Sequence, residues 1–301
     1  MRRDLAPLSA LVVASLVMIA CTISAGVPRI AAASRSWQPG PSSLRWQWEL
    51  GHALNLTNAR DMGTNDRLAN HTRALPPTVF DIDGIDNSAA TVAALHRRGD
   101  RVICYVEVGS AGNYYTARSE GITSSYFAQF RSARVLGKKV NGYPERFLNI
   151  KSRATISIVE SMIRSQCAAK GFDAVETDLD ETYAGTEGTS GFRLSQAVEV
   201  SYMETLATFM HGLGLGWIAK NPDDTGDNYA TLIAPFADGV LTEQCNQYRT
   251  CAALSQFIGK KAVLDAEYTL PTQSFCASDL AHDISGARFT RSLDGTRHPC
   301  Q

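Results

Sequence analysis

From residue 46 to the C-terminus, short runs of apolar and β-branched residues alternate with longer stretches whose apolar positions recur every three to four residues. The short runs read as strands buried on both faces, and the longer stretches as amphipathic helices. Eight strands are expected, at 46–50, 78–83, 101–108, 174–178, 216–220, 239–243, 262–267 and 287–290. Helices are expected between them, among others at 89–98, 154–170, 194–213 and 251–259. Four of these patterns end at Gly99, Gly171, Gly214 and Gly259, and glycine suits the left-handed residue that closes a helix. Eight strands alternating with helices over about 245 residues is the rhythm of a single-domain (β/α)8 barrel, an α/β fold. A doubly wound open sheet is the alternative. The long interval between the third and fourth strands, with GKKVNGYPERFLNI at its end, is expected to form an elaborated loop that walls a cleft.

The N-terminal segment breaks this rhythm. Arg2 and Arg3 precede a mostly apolar run at 5–20, so 1–26 reads as an export signal. Met18-Ile19-Ala20-Cys21 also approximates a lipoprotein signal ending at Cys21, a possible membrane anchor. Residues 27–44, rich in Ala, Ser, Pro and Gly, read as a linker, leaving 45–301 as the barrel. Setting Cys21 aside turns seven cysteines into six, an even set suited to disulfides in a secreted, extracellular protein. Cys245 and Cys251 share a polar loop, Cys276 and Cys300 would staple the tail, and Cys104 and Cys167 remain as the third pair. A free buried thiol at Cys104 is the competing reading. The charge balance, 29 Lys+Arg against 30 Asp+Glu, offers no basic footprint for nucleic acid.

Polar side chains gather at the C-terminal ends of the expected strands: Asp81, Asp83, Glu107, Glu176, Asp178, Lys220, Glu243 and Glu267. Barrel enzymes draw their catalytic groups from those ends. Several carboxylates at one mouth, with no nucleophilic Ser or Cys motif, suit glycosidic-bond cleavage by an acid and an ionised carboxylate. Tyr105, Tyr114, Tyr115, Tyr183, Trp217, Tyr248 and Tyr268 accompany the acids, and Trp217 reads equally as core or sugar platform. The six histidines show no HxH or HxxxH spacing, so neither a metal site nor a cofactor is expected. Asp81-Ile82-Asp83-Gly84 resembles the start of haloacid-dehalogenase-type phosphotransferases but lacks the Thr that follows the glycine there.

Several phrases in order resemble one family: Val79-Phe-Asp-Ile-Asp83, Val102-Ile-Cys-Tyr-Val-Glu-Val-Gly109, the segment 170–180 with Glu176, Asp178 and Asp180, Gly214-Leu-Gly-Trp-Ile-Ala-Lys-Asn221, and Glu243-Gln-Cys-Asn-Gln-Tyr-Arg-Thr-Cys251. Together they are similar to glycoside hydrolase family 114, the endo-α-1,4-polygalactosaminidases. The resemblance spans about 46–268 and implies a (β/α)8 barrel that cleaves cationic, α-1,4-linked galactosamine polymers. It carries the family's catalytic pair onto Asp178 and Glu243. It places Asp81, Asp83, Tyr105, Glu176, Asp180, Lys220, Asn221 and Glu267 along the substrate cleft. The chain departs from the family at Thr177 and Leu179, where Pro and Asn are usual, and at Glu107, where a small or hydroxyl residue is usual. A non-catalytic carbohydrate-binding barrel and a metal-dependent deacetylase or esterase are the competing readings.

Overall fold

The computed structural model describes residues 36–41, 44–118, 121–186 and 188–301. The expected export signal, Cys21 and most of the expected linker lie outside the described residues. Eight strands pair in parallel in chain order: β1 (Trp46–Glu49), β2 (Val79–Asp83), β3 (Arg101–Glu107), β7 (Ala174–Asp178), β8 (Gly216–Lys220), β9 (Gly239–Glu243), β10 (Ala262–Glu267) and β11 (Ile284–Phe289). A ninth strand, β12 (Arg297–Pro299), adds antiparallel to β11. Trp46 Nε1 donates to Ser285 O at 2.7 Å, and the Arg297 guanidinium donates to Trp46 O, so β1 meets the β11 side and the barrel is nearly closed. Residues 36–41 pack at the N-terminal ends of the strands, where Ala262 N donates to Pro39 O at 3.1 Å.

Two apolar clusters follow from the strands' period of two. Trp46, Trp48, Ile103, Ile218, Leu241 and Leu264 fill the barrel interior. Alternate residues such as Phe80, Val102, Cys104, Val175, Trp217 and Val240 pack outward under the helices α1 (Ala89–Arg97), α3 (Arg153–Met162) and α4 (Gln196–Gly212). Trp217 is therefore core: it is fully buried, donates to Thr177 Oγ1 at 2.7 Å and stacks on Phe236. His211, late in α4, meets Asp238 Oδ2 at 2.7 Å.

The structure corrects several element boundaries. The eighth strand starts at Ile284 because Ser285 and Gly286, weak in an apolar pattern, pair with Leu264 and Asp265. The expected 251–259 helix shrinks to a 3-10 turn over Cys251–Leu254. The expected 154–170 helix widens to a π turn over Ile163–Cys167 and ends as 3-10 (Ala168–Lys170), where Cys167 joins Cys104. The elaborated loop contains α2 (Tyr126–Ser132) and a three-stranded antiparallel sheet, β4 (Ser110–Gly112), β6 (Glu145–Leu148) and β5 (Leu136–Lys139). The short α5 (Tyr229–Ile233) and α6 (Cys245–Tyr248), and the longer α7 (Thr272–Ala281), are the other α-helices among the described residues. All four closing glycines have φ between 72° and 88°, and all three expected disulfides are present.

Candidate active site

At the C-terminal mouth of the barrel lies a cleft of about 320 Å³. Strand parity places Glu176 and Asp178 on the inner face of β7, with Asp178 at the mouth and Glu176 one layer deeper. Lys220, ending β8, is 3% exposed and stands between three carboxylates. Its Nζ lies 3.2 Å from Glu176 Oε1, 3.4 Å from Asp178 Oδ1 and 3.3 Å from Glu243 Oε2. Burial alone would push this ammonium down, yet Asp178, Glu243 and Glu176 together hold it well above the usual lysine range. It also sits 4.8 Å over the Trp48 ring.

Asp178 and Glu243 have matching surroundings. Each turns one oxygen to Lys220 and the other to a tyrosine: Tyr105 donates to Asp178 Oδ2 at 2.6 Å, and Tyr268 donates to Glu243 Oε1. Each also receives one N–H, from Leu179 to Asp178 Oδ1 at 3.0 Å and from Asn221 Nδ2 to Glu243 Oε2 at 2.9 Å. About a quarter of each side chain is exposed, so both reach the cleft.

Of the eight expected cleft residues, Tyr105, Lys220 and Asn221 line the cleft. The other five lie around it. Asp81 and Glu176 form a buried acid pair beneath Lys220: burial and the neighbouring Glu176 push Asp81 well above the carboxylate range, and burial lifts Glu176 to about 7. Asp83 Oδ1 accepts the N–H groups of Ile85 and Asp86, at 2.7 and 2.8 Å, and caps its own turn. Asp180 folds back behind the strand to accept from Thr177 Oγ1 at 2.7 Å and Lys220 N at 3.2 Å. Glu267 has the outward parity of β10, and its Oε1 accepts from Asn246 N and Gln247 N at 3.0 and 3.1 Å.

The fold also supplies lining residues that the pattern did not single out: Trp48, Tyr143, Glu145, Glu181 and Arg291. Glu145 comes from β6, so the elaborated loop does wall the cleft. Glu107 sits beside it. Ser110 Oγ lies 2.9 Å from Glu107 Oε2 and 2.6 Å from Glu145 Oε2, and one hydroxyl hydrogen cannot serve both. One acid must therefore carry a proton. Burial raises both acids above their ordinary range, Glu107 the further, with Glu145 beside it adding to the rise. Arg291 stacks 5.0 Å from the Tyr268 ring on the opposite, β11 side.

A carboxylate pair sharing one ammonium at the mouth of a barrel matches what a two-carboxylate glycosidase requires. The family model for glycoside-hydrolase family GH114 matches residues 27–301. The chain belongs to family GH114. It is a glycoside hydrolase. Among solved structures, this GH114 chain is similar to Aspergillus fumigatus Ega3 in complex with galactosamine, with 24% identity and a TM-score of 0.70 over 89% of this chain and 98% of that one. It is also similar to the glycoside hydrolase domain of PelA from Pseudomonas aeruginosa, with 12% identity and a TM-score of 0.55 over 85% and 96% of the two chains. These likenesses establish the fold of the GH114 barrel. No curated protein sequence matches it.

Proposed function

We propose that the chain is a secreted endo-glycosidase of α-1,4-linked, galactosamine-containing polysaccharide, with Asp178 as nucleophile and Glu243 as acid and base. The Lys220-centred pair of carboxylates carries this reading. Two carboxylate oxygens held at 3.4 and 3.3 Å from one Nζ are kept close together, which suits the narrower carboxylate spacing of retaining enzymes. In the first step Asp178 attacks the anomeric carbon, the glycosidic C–O bond breaks, and Glu243 gives its proton to the departing oxygen. In the second, Glu243 takes a proton from water, the water oxygen bonds the anomeric carbon, and the bond to Asp178 breaks. Tyr268 can donate to or accept from Glu243, so that contact survives both protonation states.

The substrate class rests on charge and on family. Among the described residues that line the cleft, the acids Glu145, Asp178, Glu181 and Glu243 outnumber the bases Lys220 and Arg291, a surplus that favours ammonium-bearing sugars. Burial and Asp180 hold Glu181 well above its ordinary range, and a substrate ammonium beside it would stabilise the ionised form. Ega3, similar in fold, binds galactosamine. Three disulfides support secretion into an oxidising space, with Cys21 as a possible lipid anchor.

Product analysis on de-N-acetylated galactosamine polymer tests the whole reading. Wild type should release oligosaccharides. Asp178→Ala should be inactive and yield a glycosyl azide when azide is supplied, while Glu243→Ala should cleave only substrates with good leaving groups. Full activity in both variants would remove the pair from the mechanism, and activity confined to an unrelated glycan would remove the substrate.

A further inference from the structure

Glu49 ends β1 on the face opposite Trp46 and Trp48, so it points away from the barrel interior. His52 follows three residues later, and Asp61 arrives from the long β1–β2 loop. Glu49 and Asp61 are fully buried, whereas 46% of the His52 side chain is exposed. His52 Nδ1 lies 3.2 Å from Glu49 Oε1, and its Nε2 lies 3.1 Å from Asp61 Oδ2. One oxygen of each acid has further donors: Glu49 Oε1 accepts from Gly51 N at 3.0 Å and His52 N at 3.2 Å, and Asp61 Oδ2 accepts from Asn55 N at 2.8 Å.

The remaining oxygens, Glu49 Oε2 and Asp61 Oδ1, are buried without a hydrogen-bond partner. Ligating atoms of the three side chains lie within 4.8 Å of one another. Gly295 closes the far side: a Cβ there would stand 2.9 Å from Glu49 Oε2 and 3.0 Å from Asp61 Cα. Buried carboxylate oxygens with no donor are costly, and both imidazole nitrogens already face the other oxygen of each acid. A cation between the acids would satisfy what the imidazole does not.

We propose that Glu49, His52 and Asp61 bind a divalent transition-metal ion of the Zn²⁺ or Mn²⁺ type. Two carboxylates with one imidazole suit those ions, whereas Ca²⁺ takes oxygen ligands. The expectation of no metal rested on histidine spacing and could not see acids gathered from a strand end and a distant loop. The ion's role is structural. Gln47 Nε2 already links this loop, through Asp61 O at 3.0 Å, to the β11–β12 turn, through Gly295 O at 2.9 Å. Leu50, next to Glu49, lines the cleft, so the ion would fix that wall without touching the reacting atoms.

The test uses the full chain without an affinity tag, stripped with chelator and titrated with ZnCl₂ and MnCl₂ by calorimetry and thermal unfolding. One saturable site per chain is expected, with the unfolding midpoint raised by about 5 °C at a hundredfold excess over Kd. His52→Ala, at a half-exposed position, and the near-isosteric Asp61→Asn should each weaken binding at least about tenfold. No saturable binding of either ion, or binding unchanged in both variants, would overturn the proposal. Stability that follows pH but ignores both ions would make the cluster a proton-bridged clamp and overturn it equally.

Discussion

Glu199 lies in the first turn of α4, fully buried, and its surroundings favour a neutral acid. Oε2 accepts from Thr182 Oγ1 at 2.6 Å and Tyr183 N at 3.2 Å, which ties α4 to the loop that carries Glu181 into the cleft, while Oε1 has no partner. Burial raises the carboxyl from 4.5 to about 8. The folded chain therefore binds this proton more tightly than the unfolded chain does. That contribution is complete below about 4.5 and is lost as pH climbs through about 8. At about 1.4 kcal/mol per pH unit the interval caps the loss at about 5 kcal/mol, and relaxation of the site roughly halves it. Glu199→Gln mimics the neutral acid at every pH. Its unpartnered amide N–H adds a cost of about 1–3 kcal/mol that does not vary with pH. Guanidinium unfolding of both proteins at pH 5 and pH 8.5 isolates the titrating part. Between those conditions the difference should move in favour of Gln by about 2–3 kcal/mol. Parallel stability curves would mean that Glu199 is charged in the fold and refute the reasoning.

Lys220→Met should cost about 3–5 kcal/mol at neutral pH by leaving buried carboxylates uncompensated, and less at pH 5, below the Glu176 value of about 7. Hydrolysis should fall at least about a hundredfold, since the pair loses its shared donor. Gly109→Ala would place a Cβ 1.8 Å from the Leu179 carbonyl oxygen, so the chain beside Asp178 must shift, with stability down by about 2 kcal/mol and turnover reduced. Replacing Cys104 and Cys167 by Ala opens a 63-residue separation and should lower stability by about 4 kcal/mol, against about 2 for the six-residue Cys245–Cys251 link. Equal losses in the two disulfide variants by chemical denaturation would contradict the loop-length account.

The barrel was legible because strands buried on both faces appear as unbroken apolar runs, and because each strand of the chemistry ends in a polar residue. Asp178, Lys220 and Glu243 could be placed at one mouth on that basis, whereas Tyr105 and Asn221 were assigned to it through the family resemblance. Strand parity explains much of the remainder. Glu267 sits at a strand end like the others but on the outward face of β10, and only its neighbours Leu264 and Ala266 in the interior reveal which face is which. Asp83 and Asp180 have inward parity yet lie at turns that redirect their carboxylates to N–H and O–H groups nearby. Glu145 and Arg291 come from the β4–β6–β5 insertion and the turn after β11, where placement depends on tertiary pairing rather than local periodicity.

The strand ends themselves carry a cost that the insertion offsets. Each residue that follows a cleft-lining charge on β7, β8 and β9 is left-handed: Leu179 (φ 54°), Asn221 (φ 45°) and Gln244 (φ 63°). For a residue with a Cβ this conformation costs about 1–2 kcal/mol, least for Asn. The sharp turn brings Leu179 N onto Asp178 and lets both ends of the Asn221 amide clasp Glu243. Leu179 is a poor choice for that backbone, but it is 8% exposed and packs with Val140 and Phe147 of the insertion. Burying a leucine contributes about 2 kcal/mol, enough to outweigh the strain. Leu179→Asn should therefore relieve about 1 kcal/mol of backbone strain, lose about 2 of apolar contact, and leave the protein about 1 kcal/mol less stable by urea unfolding. A variant more stable than wild type would show that the backbone term dominates and that Leu179 does not couple the insertion to the catalytic strand.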